Sequence, residues 1–380
     1  MEIIILSKNF KKGLSLTEKI PGKTLTLPVL NNVLIDTSGN FLKLSATDLE
    51  IGIQWWGLCK VEKEGKIAVP VKFLYQLINS FPDEKINIKE KNKTLFIEGQ
   101  NYKTQIKGVS AEDFPIIPSF LKEKFIEIDN KKIKQGLLDV INMASLSQIR
   151  PEISGIYFSF LKNQVKFVAT DSFRLAEKTL NFSQNSGYKN ILSEEVNFIL
   201  PQKTARELIN ILDETQKNIK IYFSESQILF ETFSQETDHP EINLISRQIE
   251  GEYPSYQDII PKEYKTKIIL NREEFIRQIK VASLFSGKIN EVKLKINPKT
   301  KIIEIFSQDP DFGESKSNLP AQIEGEKIET SFNWRFILDG LLNMKSSEVS
   351  FDLQDNNGPG VLKPIGDPTY LYIVMPIKPT

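Results

Sequence analysis

One cysteine and one histidine stand in 380 residues, and neither has a companion. A lone Cys59 excludes an internal disulfide and fits a reducing cytoplasm. The preceding Trp55-Trp56-Gly57-Leu58 mark it as a buried structural thiol. His239 falls in a polar loop, Glu236-Thr-Asp-His-Pro240, so neither a histidine cluster nor a cysteine site is available to a metal. No metal and no other cofactor is expected. No apolar run is long enough to cross a bilayer, so no membrane contact is expected. Met1-Glu-Ile-Ile-Ile-Leu6 is too short for a signal-peptide core and reads as a first strand. A phosphate loop of the form G-x-x-x-x-G-K-[ST] is missing: the nearest approach, Gly22-Lys23-Thr24, has Thr17 where the leading glycine belongs. No G-x-S-x-G elbow occurs. An excess of one charge is missing too. Lys plus Arg and Asp plus Glu number 49 each, a formal net charge of zero. A protein that met nucleic acid through bulk charge would be basic, so any such contact must come from basic residues segregated on one surface.

What is present is repetition. Hydrophobic content of 40% and charged content of 26% are those of a soluble globular chain, long enough for two or three domains. The run Gly155-Ile-Tyr-Phe-Ser-Phe160, a turn at Lys162-Asn163 and the run Gln164–Val168 read as a β-hairpin that leads into Val168-Ala-Thr-Asp-Ser-Phe-Arg-Leu175. Val33–Asp36, a turn at Ser38-Gly39-Asn40 and the run from Phe41 to Ile53 repeat the grammar. Both copies end their second strand with Ala-Thr-Asp, at Ala46-Thr47-Asp48 and Ala169-Thr170-Asp171.

Helices are expected over Val71–Phe81, Gln202–Leu212 and Asn333–Met344, the first two entered through Pro70 and Pro201, where a missing N–H costs little. Two alternating strands follow each. The spacing of about 130 residues suits whole-domain triplication rather than a solenoid. A further helix opens each repeat: Lys8–Lys19, Asn130–Ser145 with Asn130 as N-cap, and Arg272–Leu284 with Asn271 as N-cap. Proline-rich, aromatic connectors at Asp113–Pro118 and Tyr253–Pro261 separate the repeats. The fold class is α+β, with three domains over 1–120, 121–253 and 254–380.

Asp48 and Asp171 are the tempting carboxylate pair for two-metal catalysis. Each sits at the same place in its own repeat, which points instead to a shared structural role, that of accepting backbone N–H groups at a turn. The basic residues are more informative. The helices that open the repeats carry Lys8, Lys11, Lys12 and Lys19, then Lys131, Lys132 and Lys134, then Arg272, Arg277 and Lys280. The second helices add Lys72, then Lys203 and Arg206, then Arg335 and Lys345. Solvated helix faces account for such residues singly; recurring in three repeats, they suggest a helical surface that meets phosphates without reading bases.

The chain resembles the bacterial sliding clamps, the β subunits of DNA polymerase III. The resemblance rests on Thr26–Leu34, Leu44–Ile53, Val168–Leu175, Glu250-Gly-Glu-Tyr-Pro-Ser-Tyr256 and Tyr370-Leu-Tyr-Ile-Val-Met-Pro-Ile377, which fall in all three repeats in the family's order. It implies the DNA-clamp fold: a head-to-tail homodimer closing into a ring, sheets outside and helices lining the hole. It also implies a non-catalytic, cytoplasmic, nucleoid-associated processivity factor of DNA replication, which holds double-stranded DNA topologically. The implied partners are the replicative polymerase alpha subunit, the clamp loader, other DNA polymerases, ligase and mismatch-repair proteins, all engaging through short hydrophobic peptide motifs.

Carried over residue by residue, the partner pocket comprises Ile153, Thr170, Ser172, Phe173, Arg174, Leu175, Pro254, Ile259, Ile289, Asn357, Pro359, Ile373, Val374, Met375, Pro376 and Ile377. An apolar groove with a flexible methionine accepts many such tails. Tyr370–Ile377 reads as a closing strand with one face free for that role. Ser172-Phe173 replaces the family's Gly-His, which makes the wall more apolar and bears on the backbone at 172. Asp258 replaces a basic residue found in the family, and the chain ends Lys378-Pro379-Thr380. The family's DNA contacts fall on Lys72, Ser147 and Lys203, with Arg150 close by and Lys23 standing in for a basic position near Thr24; the basic-helix pattern adds Arg206. Ring closure points to Ile106 and Leu284. Two other readings compete: a nucleotidyl-transfer enzyme working through Asp48 and Asp171, and a protein-interaction scaffold with no DNA role.

Overall fold

The structure is a computed structural model that describes residues 1–22, 27–120, 122, 125–147, 149–182, 189–190, 195–214, 218–234, 237 and 239–378. Among these are six α-helices: α1 Ser7–Thr17, α2 Val71–Asn79, α3 Asn130–Val140, α4 Gln202–Glu214, α5 Arg272–Ser283 and α6 Trp334–Leu342. They match the expected helices within a few residues. One cap differs. Asn130 is the first helical residue of α3, and Asp129 before it accepts the Lys132 N–H at 3.0 Å. Asn271 caps α5 through the Glu274 N–H, as expected, and Asn333 caps α6 in the same way. No helix among the described residues is long and apolar enough to cross a membrane.

The chain forms two compact units. The first comprises Met1–Lys134, Ser183–Glu194 and Lys203–Gln248; the second comprises Gln135–Phe182, Glu195–Gln202 and Ile249–Thr380. In the first, a nine-stranded antiparallel sheet joins strands of the first and second repeats, because Pro240–Arg247 pairs with Ile51–Leu58 (Leu244 opposite Ile53). In the second, Arg174–Asn181 pairs with Tyr370–Val374 (Ala176 opposite Tyr372), joining second- and third-repeat strands in another nine-stranded sheet. Ladders that cross the repeat boundaries are the physical reason for two units where the sequence shows three repeats. A five-stranded sheet completes the first unit, with Lys60–Lys63 and Lys103–Lys107 at its edges. A four-stranded sheet completes the second, ordered Gly313–Pro320, Ile302–Asp309, Glu291–Asn297, Ile328–Asn333.

Helices pack on sheets with little clearance. A Cβ added at Gly13 of α1 would lie 2.3 Å from the Trp55 ring, one at Gly136 of α3 2.5 Å from Phe167, and one at Gly340 of α6 2.5 Å from Tyr372. Two sequence expectations shift. Cys59 is half-buried rather than buried. His239 is not simply a loop residue: its ring stacks on Phe41 at 4.1 Å and meets the edge of Trp56 at 5.6 Å.

Candidate functional site

The repeated Ala-Thr-Asp builds the same turn twice. In the second unit, Asp171 Oδ1 accepts the N–H groups of Phe173 (2.9 Å) and Arg174 (3.0 Å), and Thr170 donates its hydroxyl to the Arg174 carbonyl (2.7 Å). In the first unit, Asp48 Oδ1 accepts from Glu50 (3.0 Å) and Ile51 (2.8 Å), and Thr47 donates to the Ile51 carbonyl (2.9 Å). The residue after each aspartate has left-handed backbone, Leu49 at φ 80 and Ser172 at φ 76. Serine at 172 therefore leaves the turn's conformation in place. Both carboxylates are occupied with their own backbones, and they belong to different units. No group of three metal-ligating side chains occurs among the described residues.

In the second unit this turn forms one lip of a cleft of about 1170 Å³. Ser172 and Phe173 come from the turn, Ile289 from the loop after α5, and Phe336 from α6. Met375, Pro376 and Ile377 come from the segment beyond the last strand. That strand ends at Val374, earlier than the sequence pattern suggests, because the chain then crosses from one sheet to the other. The Met375 N–H bonds the Phe173 carbonyl at 2.8 Å, and the Ile377 N–H bonds the Ser331 carbonyl at 2.8 Å. Phe173 is 61% exposed, large for an aromatic ring, and stacks on Phe336 with centroids 6.3 Å apart. Arg174 braces this lip from behind. Its guanidinium lies 4.7 Å from the Phe336 ring centroid, pairs with Asp171 at 3.1 Å and with Asp339, and donates to the Asn142 carbonyl at 3.2 Å.

Of the sixteen residues carried over, seven line the cleft: Ser172, Phe173, Ile289, Asn357, Met375, Pro376 and Ile377. Ile153, Leu175, Ile373 and Val374 are buried, and Leu175 and Ile373 pack with Val168, Tyr256 and Val361 in the core behind it. The last strand is covered on both faces, so the expected free face is absent. Thr170 and Arg174 hold the lip rather than line it. Pro359 is buried, and Pro254 and Ile259 stand outside the lining, with Ile259 exposed. The sequence reading missed Phe336 and the polar floor: Glu291 and Lys293 on one strand, Glu329, Ser331 and Asn333 on the next. Lys293 and Glu329 pair across it at 3.7 Å.

The basic residues divide into free and engaged. Lys72 on α2 and Arg206 on α4 are exposed. Lys203 donates to the Ile20 carbonyl at 3.0 Å and pairs with Asp48, so it ties α4 to the first repeat's turn. Arg150 pairs with Glu152 at 2.9 Å and donates to the Ser172 hydroxyl at 3.1 Å. Ser147 is exposed, its hydroxyl accepting the Ile149 N–H at 3.3 Å. Lys23, and the terminal Pro379 and Thr380, lie outside the described residues. Ile106 is only 5% exposed beneath its sheet, whereas Leu284 is 73% exposed at the end of α5.

Three family models match in succession: the DNA polymerase III beta subunit N-terminal domain at residues 1–118, its central domain at 127–255 and its C-terminal domain at 257–378. The beta sliding clamp of Staphylococcus aureus is 27% identical, over 100% of this chain and 99% of its own. Among solved structures, a DNA polymerase sliding clamp from Bacillus subtilis shares 25% identity at a TM-score of 0.91, with both chains covered in full. The DNA polymerase III beta subunit of Thermotoga maritima matches at 0.90, also with 25% identity and full coverage of both chains.

Proposed function

The chain belongs to the DNA polymerase III beta subunit family and functions as a DNA polymerase sliding clamp, a non-catalytic processivity subunit of DNA replication; from that premise we propose that the cleft between Phe173, Phe336 and Met375 receives its partners. The carrying observation is the cleft's composition: an aromatic and aliphatic rim of Phe173, Ile289, Phe336, Met375 and Ile377 above a polar floor that carries the Lys293–Glu329 ion pair. Such a groove suits a short hydrophobic peptide whose backbone finds polar groups beside its apolar anchors. A thioether and an exposed phenylalanine adapt to more than one sequence, which fits several clients. Those clients are the replicative polymerase alpha subunit, the clamp loader, other DNA polymerases, ligase and mismatch-repair proteins.

DNA is held by the closed ring of a head-to-tail homodimer. Lys72 and Arg206, exposed on helices, meet phosphates directly; Ser147 adds a hydroxyl, and Lys23 belongs with them by its place in the sequence. Lys203 and Arg150 reach DNA only by leaving their present partners. Contacts of this kind are weak and blind to sequence, which permits sliding. The division into 1–120, 121–253 and 254–380 is the one we adopt, and the family matches support it. A replication clamp works in the bacterial cytoplasm, at the nucleoid.

The test is binding of a fluorescent tail peptide from the replicative polymerase to the intact protein. Saturable binding, weakened more than about tenfold by Phe173→Ala or Met375→Ala, is expected for anchors at the centre of an interface. Unchanged affinity in both variants would move the partner site elsewhere.

A further inference from the structure

We infer that the cleft continues into a second subsite on the outer face of the four-stranded sheet, which takes the residues of the partner segment flanking its hydrophobic motif. A cavity of about 550 Å³ lies over the strands Glu291–Asn297 and Ile302–Asp309. It shares Ile289, Glu291 and Lys293 with the cleft, so the two are one groove. Strand register shows how they join. Lys293 stands opposite Ser331 on one side and Phe306 on the other. Ser331 lines the cleft, and Phe306 lines the second cavity. Val292 and Leu294, adjacent in sequence to Lys293, are fully buried, so Lys293 points outward with the rest of its row. Ser331, Lys293 and Phe306 thus form one line across three strands on the solvent face.

That line sets the length of the occupant. Two inter-strand spacings amount to about 10 Å, which three extended residues at about 3.3 Å each cover. It sets the chemistry as well. The crossing passes Lys293 and Glu291, polar and half-exposed, and ends on the apolar Phe306 and Pro310 beside Gln308. The occupant is an extended stretch, polar for two residues and apolar at the third, continuous with the motif in the cleft. Ile289, 62% exposed between the cavities, is where the segment passes from one to the other.

This inference rests on the cleft being the partner site, and the experiment separates the two. Three fluorescent peptides are titrated against the full-length protein: the polymerase's hydrophobic motif alone, and the motif extended by its native residues on either end. One extended peptide is expected to bind roughly fivefold more tightly than the motif. Phe306→Ala removes that gain while leaving the motif's own affinity unchanged. Gln308→Ala, a surface change, gives the same readout with less risk to folding. Equal affinities for all three peptides would overturn the subsite and leave the cleft standing, as would a gain that survives both variants. Failure of the motif itself to bind would overturn the cleft, and the subsite with it.

Discussion

At the scale of single residues, the most informative groups are those that hold a backbone. Ser172 sits at φ 76, where a side chain costs on the order of 1 kcal/mol. The acceptors on Asp171 and Thr170, and Arg150 donating to its hydroxyl, hold it there. Asp171→Ala removes the two hydrogen bonds that close the turn together with the Arg174 pair, and is expected to lower stability by about 2 kcal/mol. Asp171→Asn keeps an acceptor and is expected to recover most of that in urea unfolding. If asparagine were as damaging as alanine, the Arg174 ion pair would outweigh the turn. Cys59 gives a second expectation. Burial pushes its thiol from the ordinary 9.0 up to about 11. The folded state therefore favours the protonated thiol. Its contribution to stability is whole below pH 9 and is lost as pH rises through about 11. Alkylation of the native protein is expected to stay slow at pH 8.5 or so and to accelerate only above that range. Fast labelling at neutral pH would contradict it. The structural role of Asp48 and Asp171 was legible because a tripeptide repeated at one place in two hairpins marks a turn. Phe336 was not: an aromatic residue in the first turn of a helix looks the same in sequence whether it faces a core or a cleft.

At the scale of elements, three helices approach the sheets through glycine. Glycine is a poor helix former, so its use at Gly13, Gly136 and Gly340 calls for a packing reason, and the rings of Trp55, Phe167 and Tyr372 supply it. Alanine at any of these favours the helix intrinsically by somewhat under 1 kcal/mol, yet drives a methyl into a buried ring. Overpacking costs about 1–3 kcal/mol, so each Gly→Ala change is expected to destabilise, as read by a lower urea midpoint. A rise in midpoint would mean that the ring turns aside cheaply. The helices themselves were readable from proline at their entrances and from apolar spacing, which are local signals. The end of the last strand at Val374 was not, because Tyr370–Ile377 alternates smoothly and only Ser331, nearly fifty residues earlier in the chain, provides the acceptor that draws Ile377 away. The polar floor was hidden for the same reason. Glu291, Lys293 and Ser331 are ordinary outward positions on alternating strands until the C-terminal segment crosses beside them.

At the scale of the whole molecule, a formal charge of zero provides no net attraction to DNA, so holding it falls to basic residues segregated on one surface and, in the ring we propose, to topology. Closure of the ring then becomes the property on which function depends. Among the described residues, each unit has a small sheet with an open edge: Lys103–Lys107 in the first and Gly313–Pro320 in the second. Unpaired edges invite another chain, and the head-to-tail dimer we propose joins these two unlike edges. Of the two residues that the family resemblance places at this junction, Ile106 is a poor probe. It is buried under its own sheet, so a charge there would unfold the unit before it tested the ring. Leu284 is the better one, exposed just past the end of the helix packed beside the Gly313–Pro320 strand and outside the cleft lining. Leu284→Asp is expected to cost about 2 kcal/mol at each interface. Both interfaces of a closed dimer carry it, so the dissociation constant should rise about a thousandfold. Light scattering should then report a monomer at micromolar concentration, and retention on nicked circular DNA should be lost. Affinity for the polymerase-tail peptide should stay as it was, since Leu284 does not line the cleft. A variant that remains dimeric would remove Leu284 from the interface. A monomer still retained on circular DNA would remove topology as the means of holding it.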